Sequence, residues 1–598
     1  MVNLKNGIRT VLHMSNYEYI NMSYSKDLTR INIPKFQRSL VWTEKKKNDL
    51  ILTLHKDFPF GALLVAPSHD DTENLRLLDG QQRLSTINEY AKNKVRYWRN
   101  LNKDKYNSEL GTINDILVSS KEARIGQTDF DKYLEPDYEL GDWTDDYEGM
   151  NATTKKELRG IVKETRKEIQ GYIELDKLQI PVIKFIGDEN SLPDVFENLN
   201  KGGVPLTKYE ILSAAWDGKI MKMPQDDENS DEILSNVKNY YTHMAANGEF
   251  DIDNFSENDI TASREINLAE FGRAVGKFVV DMIPSLVSST DNTATNELGF
   301  GLLGIISGTS NKEIMHIDKK KNLIVKNMTP NLAKIKQISQ KLNDVFDALL
   351  KQKISFGKNE KSKKSQYSTG LSSSFKILSY FASLWNLDIK EMNEYLKNIP
   401  AHYVYDSLVS AWTAHGDQRL QDYYPNVASK DYSELIDKNE FKRAFDTWLS
   451  EENGMRKTFS KETKALITIH SNLTYFVGMR FSGEDFEFEH IVPKARILAV
   501  DSGVTHVQLS ALGNGMFLPK SLNIKKQSKT LYEYRDSMGE KGDEYDSYIQ
   551  KSNYPEKEDL EQAIKGLEHG EFESTNNLIS KRASQVRDVI VDGLEKID

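Results

Sequence analysis

The sequence of 598 residues contains no cysteine. That absence excludes disulfide bonds and zinc sites with cysteine ligands. The chain also lacks any apolar run close to the roughly 18 residues that a membrane-spanning helix needs. Its opening stretch, MVNLKNGIRTVLHMSN, lacks the continuous apolar core of a signal peptide. We therefore expect a protein of the cytoplasm that has no membrane partner.

Internal repeats and long low-complexity tracts are absent as well, and a chain of this length is too long for one hydrophobic core. The net charge of −11 argues against a protein that coats nucleic acid, although it places no limit on local basic surfaces. Two lysine-rich stretches are present, KQKISFGKNEKSKK at 351–364 and KSLNIKKQSK at 520–529. Each is either a contact for phosphates or an ordinary solvated surface.

The order of apolar patterns predicts a multidomain α+β protein with three domains. Short strand-like and helix-like runs alternate near the N-terminus, which is typical of an α/β unit, and we assign residues 1–250 to this domain. Residues 251–450 carry mostly amphipathic helical patterns and form a predicted helical linker domain. Residues 451–598 form a third, mixed domain, in which strand-like FEFEHIVP and GMFLP precede a lysine-rich helix and a helical tail.

One glycine-rich motif is discounted as a nucleotide site. GFGLLG at 299–304 fits the spacing of dinucleotide-binding loops. It follows the polar stretch STDNTATNEL rather than a strand, however, and no βαβ pattern surrounds it. We expect no phosphate to bind there.

The most informative stretch is DFEFEHIVPKARI at 485–497, taken together with LGNGMFLPKSLNIKKQSK at 512–529. Hydrolysis of a phosphodiester with one metal ion needs a base that takes a proton from water, a divalent cation, and a group that fixes the base. Glu489 and His490 are adjacent on the predicted strand, where neighbouring side chains point to opposite sides or splay. One of them is therefore placed to ligate metal while the other faces the water.

Two asparagines complete this set. Asn514 lies in a predicted Gly-Asn-Gly hairpin turn, where its amide can hold either the second nitrogen of the histidine or the loop backbone. Asn523 falls in the first turns of the next helix and is placed to reach back as a second oxygen ligand; oxygen ligands suit Mg²⁺ or Mn²⁺. The competing interpretation is a core histidine after a strand, with Asn514 acting only as a turn residue.

The order Glu-His, Asn, Asn across a strand, loop, strand and helix resembles the ββα-metal, or HNH, nuclease motif. More narrowly, EHIVP, LGN, FLP and LN followed by lysines resemble the nuclease domain of GmrSD-type modification-dependent restriction enzymes. The resemblance covers about 45 residues, with Asn rather than His at the last metal position. It implies that His490 is the general base, that Glu489 and Asn523 hold the metal, and that Asn514 orients the site. Lysines beside this site are expected to bind DNA phosphates, namely Lys520, Lys525, Lys526 and Lys529.

A second constellation, RLLDGQQRLSTI at 76–87, combines a strand-like run with a polar corner. Asp79 and Gly80 predict a tight turn, since glycine tolerates positive φ. Gln81, Gln82 and Arg83 then lie at the start of a helix, where backbone N–H groups and an arginine favour an anion. Alternatively, Asp79 merely caps the helix and Arg83 is a solvated side chain.

The upstream segment IPKFQRSLVW favours the anion-binding interpretation of this corner. Together with LLDGQQRLST and VFENLNKGGVPLTKYE, it resembles the N-terminal domain of the same GmrSD-like family, which is related to the ParB nucleotide-binding fold, over roughly residues 15–215. The resemblance implies that the corner binds and hydrolyses a nucleoside triphosphate, with GTP, UTP and ATP left open. The implied nucleotide contacts are Arg38, Asp79, Gly80, Gln81, Gln82, Arg83 and Asn200, and the residues expected to read DNA are Phe36 and Gln37.

Both resemblances in one chain predict an anti-phage endonuclease that couples triphosphate hydrolysis to cleavage or nicking of double-stranded DNA. The sensed signal is modified DNA, through altered bases or a phosphorothioate backbone. The alternative is a ParB-like, nucleotide-switched DNA-binding protein with a vestigial nuclease domain, and a nuclease that acts on RNA is a third reading. Whether the protein forms a homodimer is left open.

Overall fold

The chain folds into two compact units. One covers residues 1–218 and 242–254, and the other covers 219–241 and 255–598. The computed structural model describes residues 16–32, 42–67, 74–187, 212, 216, 219–246, 257–355, 364–367, 370–476, 486–539 and 543–595. From residue 255 onward, the predicted helical and nuclease-like segments both belong to the second unit. The predicted boundary between them at residue 450 stays a prediction.

A mixed five-stranded sheet forms the centre of the first unit, with the strand order β1-β5-β3-β4-β2. β1 pairs antiparallel with β5 and β3 antiparallel with β4, whereas β3 runs parallel to β5 and β2 parallel to β4. The middle strands are almost entirely buried, as continuous apolar runs such as Leu63–Ala66 require. The strands are β1 (Tyr17–Ser23), β2 (Ile31–Asn32), β3 (Leu63–Pro67), β4 (Leu75–Asp79) and β5 (Gln179–Phe185).

Helices surround this sheet and share one hydrophobic core with it. Trp98, Tyr90 and Tyr97 from two consecutive helices are fully buried in that core. Asn151 caps the longest helix by accepting a hydrogen bond from the Thr154 amide. The helices are α1 (Tyr24–Asp27), α2 (Glu44–His55), α3 (Gln81–Lys92), α4 (Lys94–Leu101), α5 (Lys103–Ser119), α6 (Gln127–Leu134), α7 (Leu140–Asp145) and α8 (Ala152–Gly171).

The second unit begins with a helical part that includes two short antiparallel strand pairs, β6 (Ile220–Lys222) with β7 (Glu265–Asn267) and β8 (Lys351–Ser355) with β9 (Lys364–Tyr367). Its helices are α9 (Glu228–Ala246), α10 (Glu257–Ser263), α11 (Leu268–Met282), α12 (Asn292–Ser307), α13 (Lys321–Lys326), α14 (Met328–Leu350), α15 (Ser374–Leu384), α16 (Ile389–Leu408), α17 (Gly416–Gln421) and α18 (Lys438–Glu451).

The discounted GFGLLG motif lies inside α12 and serves helix packing. A Cβ atom on Gly299 would lie 1.9 Å from the carbonyl oxygen of Gly272 in α11. Glycine at this position therefore lets the two helices approach closely, and the motif forms no loop that would receive a phosphate.

A two-stranded antiparallel ribbon with helices around it ends the chain. Its elements are α19 (Lys461–Leu473), β10 (Phe486–His490), α20 (Lys494–Val500), a 3₁₀ turn (Leu512–Asn514), β11 (Gly515–Pro519), α21 (Lys520–Lys526), α22 (Leu531–Met538), α23 (Asp543–Lys551), α24 (Lys557–Glu568) and α25 (Glu573–Leu594). The order of strand, loop, strand and helix is the predicted one.

The structure confirms a mostly helical α+β protein with a small mixed sheet near the N-terminus. The finer assignments, a ParB-like fold and a ββα-metal nuclease domain, stay predictions. The predicted helix, Gly-Gly turn and helix around Asn200 lie outside the described residues. No described helix is long and apolar enough to cross a membrane.

Candidate functional site

The corner at 79–83 has the predicted form of strand, glycine and helix. β4 ends at Asp79, and α3 begins at Gln81. Gly80 adopts φ of 100°, and a Cβ atom there would lie 2.4 Å from Cδ2 of Leu63. Both the backbone conformation and the neighbouring strand therefore require glycine at position 80.

Arg83 is tied to this corner rather than extended into solvent. Its Nη2 atom donates to the carbonyl oxygen of Ala62 at 2.9 Å and to Oδ2 of Asp79 at 3.0 Å. The side chain is 23% exposed, and its buried Nε atom has no hydrogen-bond partner among the described residues. The guanidinium is thus held in place with part of its donor set unused, as a phosphate contact requires.

The two glutamines of the corner differ in their environment. Gln81 is buried, and its Nε2 atom has no hydrogen-bond partner within the described ranges. Gln82 accepts a hydrogen bond at Oε1 from the amide of Trp42, at 3.2 Å. Trp42 is partly buried against the core of the first unit. The remaining residues predicted to meet nucleotide or DNA lie outside the described residues; these are Phe36, Gln37, Arg38 and Asn200.

In the second unit, the ribbon of β10 and β11 places Glu489 and His490 on opposite faces. Glu489 lies across from Met516 and His490 across from Gly515. The His490 ring stacks on Phe459, with 4.5 Å between ring centroids and 18° between planes. The predicted division of these two side chains between the two faces is therefore present.

His490 is buried, with 8% of the residue exposed. Burial lowers the pKa of its imidazole to about 3, and the positive charges of Lys494 and Lys526 act in the same direction. The ring is therefore neutral at neutral pH, which a proton acceptor has to be. Its buried Nε2 atom has no hydrogen-bond partner in the part of the chain that the structure describes.

Asn514 fixes the loop that follows β10. It lies in the 3₁₀ turn before β11 rather than in a tight hairpin turn, because 24 residues, 491–514, join the two strands. Its Oδ1 atom accepts from the amide of Val492 at 2.8 Å, and its Nδ2 atom donates to the carbonyl of Leu509 at 2.9 Å. Of the two roles left open for this amide, the geometry favours holding the loop backbone.

Two further residues hold the turn and were missed by the sequence analysis. Glu452 accepts a hydrogen bond from the Leu512 amide at 3.1 Å, and burial raises the pKa of its carboxyl. The buried Arg582 of α25 donates to the carbonyls of Gly513 and Gly515, which flank Asn514, at 3.0 and 2.8 Å. Both lie far from the motif in sequence, so no local pattern indicates them.

The Glu489 face of the ribbon contacts α21 through two carboxylates. Glu489 Oε1 accepts from Nζ of Lys526 at 2.6 Å. Asn523 Nδ2 lies 3.4 Å from Oε2 of Glu487, and Lys520 Nζ lies 3.5 Å from Oε1 of the same residue. Glu487 was also missed, although the period of two along FEFEH places it on the face of Glu489.

The four lysines predicted to contact DNA fall into three situations. Lys526 is buried, with a side chain 2% exposed, and it points to Glu489 rather than to the surface. Lys520 is exposed and pairs with Glu487. Lys525 and Lys529 are exposed. The structure therefore leaves Lys525 and Lys529 as the members of this run that face solvent without an ion pair among the described residues.

The donor set on this face fits a hard cation. Glu487, Glu489 and Asn523 bring two carboxylates and one amide group to the same side of the ribbon. Oxygen donors of this kind suit Mg²⁺. Within the described ranges, no group of three or more His, Asp or Glu side chains is arranged to hold a metal ion. Asn523 is the third polar side chain on this face, and its amide nitrogen is directed at Glu487.

Comparison with known proteins supports one half of the predicted resemblance. No curated protein matches the chain. Residues 18–216, about a third of the sequence, match the family described as GmrSD restriction endonuclease, N-terminal domain. The corner at 79–83 lies inside this match and the ribbon lies outside it. The N-terminal part of the chain is therefore similar to the N-terminal domain of GmrSD restriction endonucleases, as predicted.

Proposed function

We propose that the protein is a modification-dependent DNA endonuclease that couples nucleoside triphosphate hydrolysis in its first unit to DNA cleavage at the ribbon of its second. The observation that carries the proposal is the match of residues 18–216 to a restriction endonuclease domain. The ordered set of Glu489, His490, Asn514 and Asn523 on a strand, loop, strand and helix supports it. Modified bases or a phosphorothioate backbone are the proposed signals.

In the proposed reaction, His490 accepts a proton from the attacking water at Nε2, the buried atom that has no partner among the described residues. Burial keeps this nitrogen unprotonated at neutral pH, and the same burial lowers its basicity. Stacking on Phe459 and the loop held by Asn514 fix the ring. Glu487, Glu489 and Asn523 would hold Mg²⁺ or Mn²⁺, which supplies charge neutralisation at the cleaved phosphodiester.

At the corner of the first unit, Arg83 is the proposed contact for the triphosphate. Its guanidinium is already oriented by Ala62 and Asp79, so binding restricts the side chain little further. The backbone N–H groups at the start of α3 face the same region and favour negative charge. Gln81 and Gln82 are proposed as polar neighbours of the phosphates.

One observation favours the alternative, a nucleotide-switched DNA-binding protein with an inactive ribbon. The ammonium of Lys526 already occupies Oε1 of Glu489. A cation that binds this oxygen has to displace that ammonium first. A chain in which the displacement does not occur would bind DNA and nucleotide without cutting.

The deciding experiment is digestion of plain, glucosylated-hydroxymethylcytosine and phosphorothioate DNA with Mg²⁺, with and without each triphosphate. Wild-type protein is expected to cut or nick a modified substrate. His490→Ala should reduce cutting by roughly 10²–10⁴-fold, the usual contribution of a general base, and should leave nucleotide turnover unchanged. Wild-type rates in this variant would contradict the assignment of His490, and the absence of any cutting by the wild type would favour the alternative.

A further inference from the structure

The second unit carries a basic surface on the His490 side of the ribbon, in addition to the lysine run at 520–529. Lys457 and Lys461 are exposed, and Lys464 and Lys494 are partly exposed. None of these four side chains has a carboxylate within 4.0 Å in the described part of the chain, which separates them from Lys520 and Lys526. We call the four residues the α19 lysine surface.

Contacts tie this surface to His490. Lys494 Nζ donates to the carbonyl oxygen of Lys457 at 2.6 Å. Lys464 Nζ lies 5.6 Å from the centroid of the Phe488 ring, which is on the His490 face of the ribbon. The segment between Lys457 and Lys461 carries Phe459, the ring that stacks on His490. Lys464 therefore lies beside the His490 face of the ribbon, Lys494 contacts the backbone of Lys457, and Lys457 and Lys461 flank the ring that stacks on the imidazole.

The far part of α19 contacts the hairpin of β8 and β9. Thr468, one turn beyond Lys464, lies 3.3 Å from Nε2 of Gln352 in β8. Asn472, a further turn along, donates to the carbonyl of Lys351 at 2.8 Å. This hairpin belongs to the lysine-rich stretch at 351–364. One helix therefore connects the surface near His490 to a second lysine-rich segment.

Charge on this surface is unbalanced. Residues 456–464 hold four cationic side chains against one acidic side chain, Glu462, in a chain of net charge −11. Unpaired ammonium groups near one another repel, and an approaching polyanion relieves that repulsion while it releases counterions. Lysines act as point charges that suit the phosphate backbone rather than base edges. The partner that fits this surface is a nucleic acid duplex that is bound through its phosphates, without sequence specificity.

We infer that the α19 lysine surface, rather than the run at 520–529, is the principal phosphate-binding surface for double-stranded DNA, and that it delivers the backbone to His490. The inference rests on the proposed endonuclease function and adds the side from which DNA reaches the ribbon. The run at 520–529 begins on α21, which contacts the Glu489 face, and two of its four lysines are already paired with Glu487 and Glu489.

The test compares duplex binding by three sets of lysine-to-glutamine substitutions in the His490→Ala protein, so that bound DNA is not cut. The first set is Lys457→Gln, Lys461→Gln and Lys464→Gln. The second set is Lys520→Gln, Lys525→Gln and Lys529→Gln. A matched control of three exposed lysines elsewhere in the second unit carries Lys312→Gln, Lys319→Gln and Lys326→Gln. Fluorescence anisotropy with an unmodified duplex is measured from 50 to 200 mM salt.

The first set is expected to weaken binding by about tenfold or more. It should also reduce the slope of log affinity against log salt by about 0.9 for each DNA phosphate that the protein no longer neutralises. The control set should retain the affinity and slope of the parent. A larger loss of affinity in the second set than in the first, or equal affinity in all sets, would overturn the inference. Tighter binding of an RNA duplex of the same length would overturn the assignment to DNA.

Circular dichroism of the first set guards against misfolding, and the parent spectrum is expected because the substituted side chains lie at the surface. Failure of the proposed function gives a different result. In that case the protein with His490 intact cuts no substrate, whatever the binding comparison shows.

Discussion

Each of the two candidate sites contains an ion pair at the end of a strand, and the two pairs differ in how far they are buried. At the corner of the first unit, Arg83 pairs with Asp79, and their side chains are 23% and 49% exposed. On the ribbon of the second unit, Glu489 pairs with Lys526, whose side chain is 2% exposed. Exposed ion pairs contribute about 0–1 kcal/mol, whereas removing one partner of a buried pair costs about 3–5 kcal/mol.

This difference indicates which site has to rearrange before it binds its ligand. An anion that approaches the corner competes with the solvated carboxylate of Asp79 and the carbonyl of Ala62 for part of the Arg83 guanidinium. A divalent cation that approaches Glu489 has to displace a buried ammonium, which needs a new position for Lys526. We therefore expect the corner to accept nucleotide with little rearrangement and the ribbon to need a local conformational change before it becomes active.

The largest effect on stability is expected at the buried pair. Lys526→Met should lower the free energy of unfolding of the second unit by about 3–5 kcal/mol without metal, because it leaves Glu489 charged and unpaired. It should also tighten Mg²⁺ binding in calorimetric titrations, since no ammonium then competes for the carboxylate. Urea unfolding provides the stability measurement.

Lys520→Met is the matched control, because Lys520 pairs with Glu487 at the exposed end of the same helix. A decrease of at most about 1 kcal/mol in the free energy of unfolding is expected there. Similar decreases in the two variants would show that burial does not distinguish the pairs, and unchanged Mg²⁺ affinity in Lys526→Met would remove the competition argued above.

The second largest effect is expected at Asn514. Asn514→Ala removes the partners of the Val492 amide and the Leu509 carbonyl, both held by the buried asparagine side chain. Each unsatisfied buried group costs about 1–3 kcal/mol, so a decrease of at least about 2 kcal/mol in stability is expected for the two groups together. Hydrogen exchange should show the destabilisation first at the amides of residues 491–514.

Asn523→Ala is the control for this prediction, since Asn523 is only partly buried and makes one long contact, to Glu487. A stability change well below that of Asn514→Ala is expected, together with a higher Mg²⁺ requirement for cutting. Equal destabilisation of the two variants would mean that Asn514 does not fix the loop.

Local patterns were sufficient to predict the elements that carry both sites. A strand, a glycine and a helix follow from LLDGQQRLST because the apolar period changes from two to 3.6 around Gly80. The ribbon and its helix follow in the same way from FEFEH, GMFLP and the lysine-rich stretch. The strand order β1-β5-β3-β4-β2 was not predicted, since it depends on pairings between strands more than 100 residues apart.

The partners of the charged side chains were harder to predict. Lysine usually lies at the surface, so burial of Lys526 contradicts the expectation from residue type. The signal was nevertheless present, because Lys520, Asn523 and Lys526 are spaced three apart on one helix face and Glu487 and Glu489 two apart on one strand face. Periodicity shows that the charges on the helix face complement those on the strand face, but it does not show that the two faces are in contact.

A smaller effect in free energy is expected from the guanidinium at the corner. Arg83→Ala should reduce triphosphate hydrolysis by at least about 100-fold, or about 2.7 kcal/mol, since water does not replace an oriented charged donor. Arg83→Lys should restore part of the rate because the charge returns without the planar fork. Turnover of GTP, UTP and ATP is the measurement. Full hydrolysis by the alanine variant would place the nucleotide site elsewhere.

The smallest effect is expected at Gly80, and it tests whether the corner is built by backbone geometry. Gly80→Ala introduces a Cβ atom at φ of 100° and 2.4 Å from Leu63 Cδ2, so it combines backbone strain with a steric clash against a buried strand. A decrease of about 2 kcal/mol in the free energy of unfolding of the first unit is expected.

Gly570 is the matched control, because it has φ of 80° and no atom within 4 Å of an added Cβ. Gly570→Ala should cost about 1 kcal/mol, the backbone strain alone. Nucleotide turnover should fall in Gly80→Ala because Arg83 lies three residues after the strained position and donates to the carbonyl of Ala62, the residue before the Leu63 that the new methyl group displaces. Equal destabilisation by the two glycine substitutions, with turnover unchanged at position 80, would show that the close approach of Leu63 does not shape the corner.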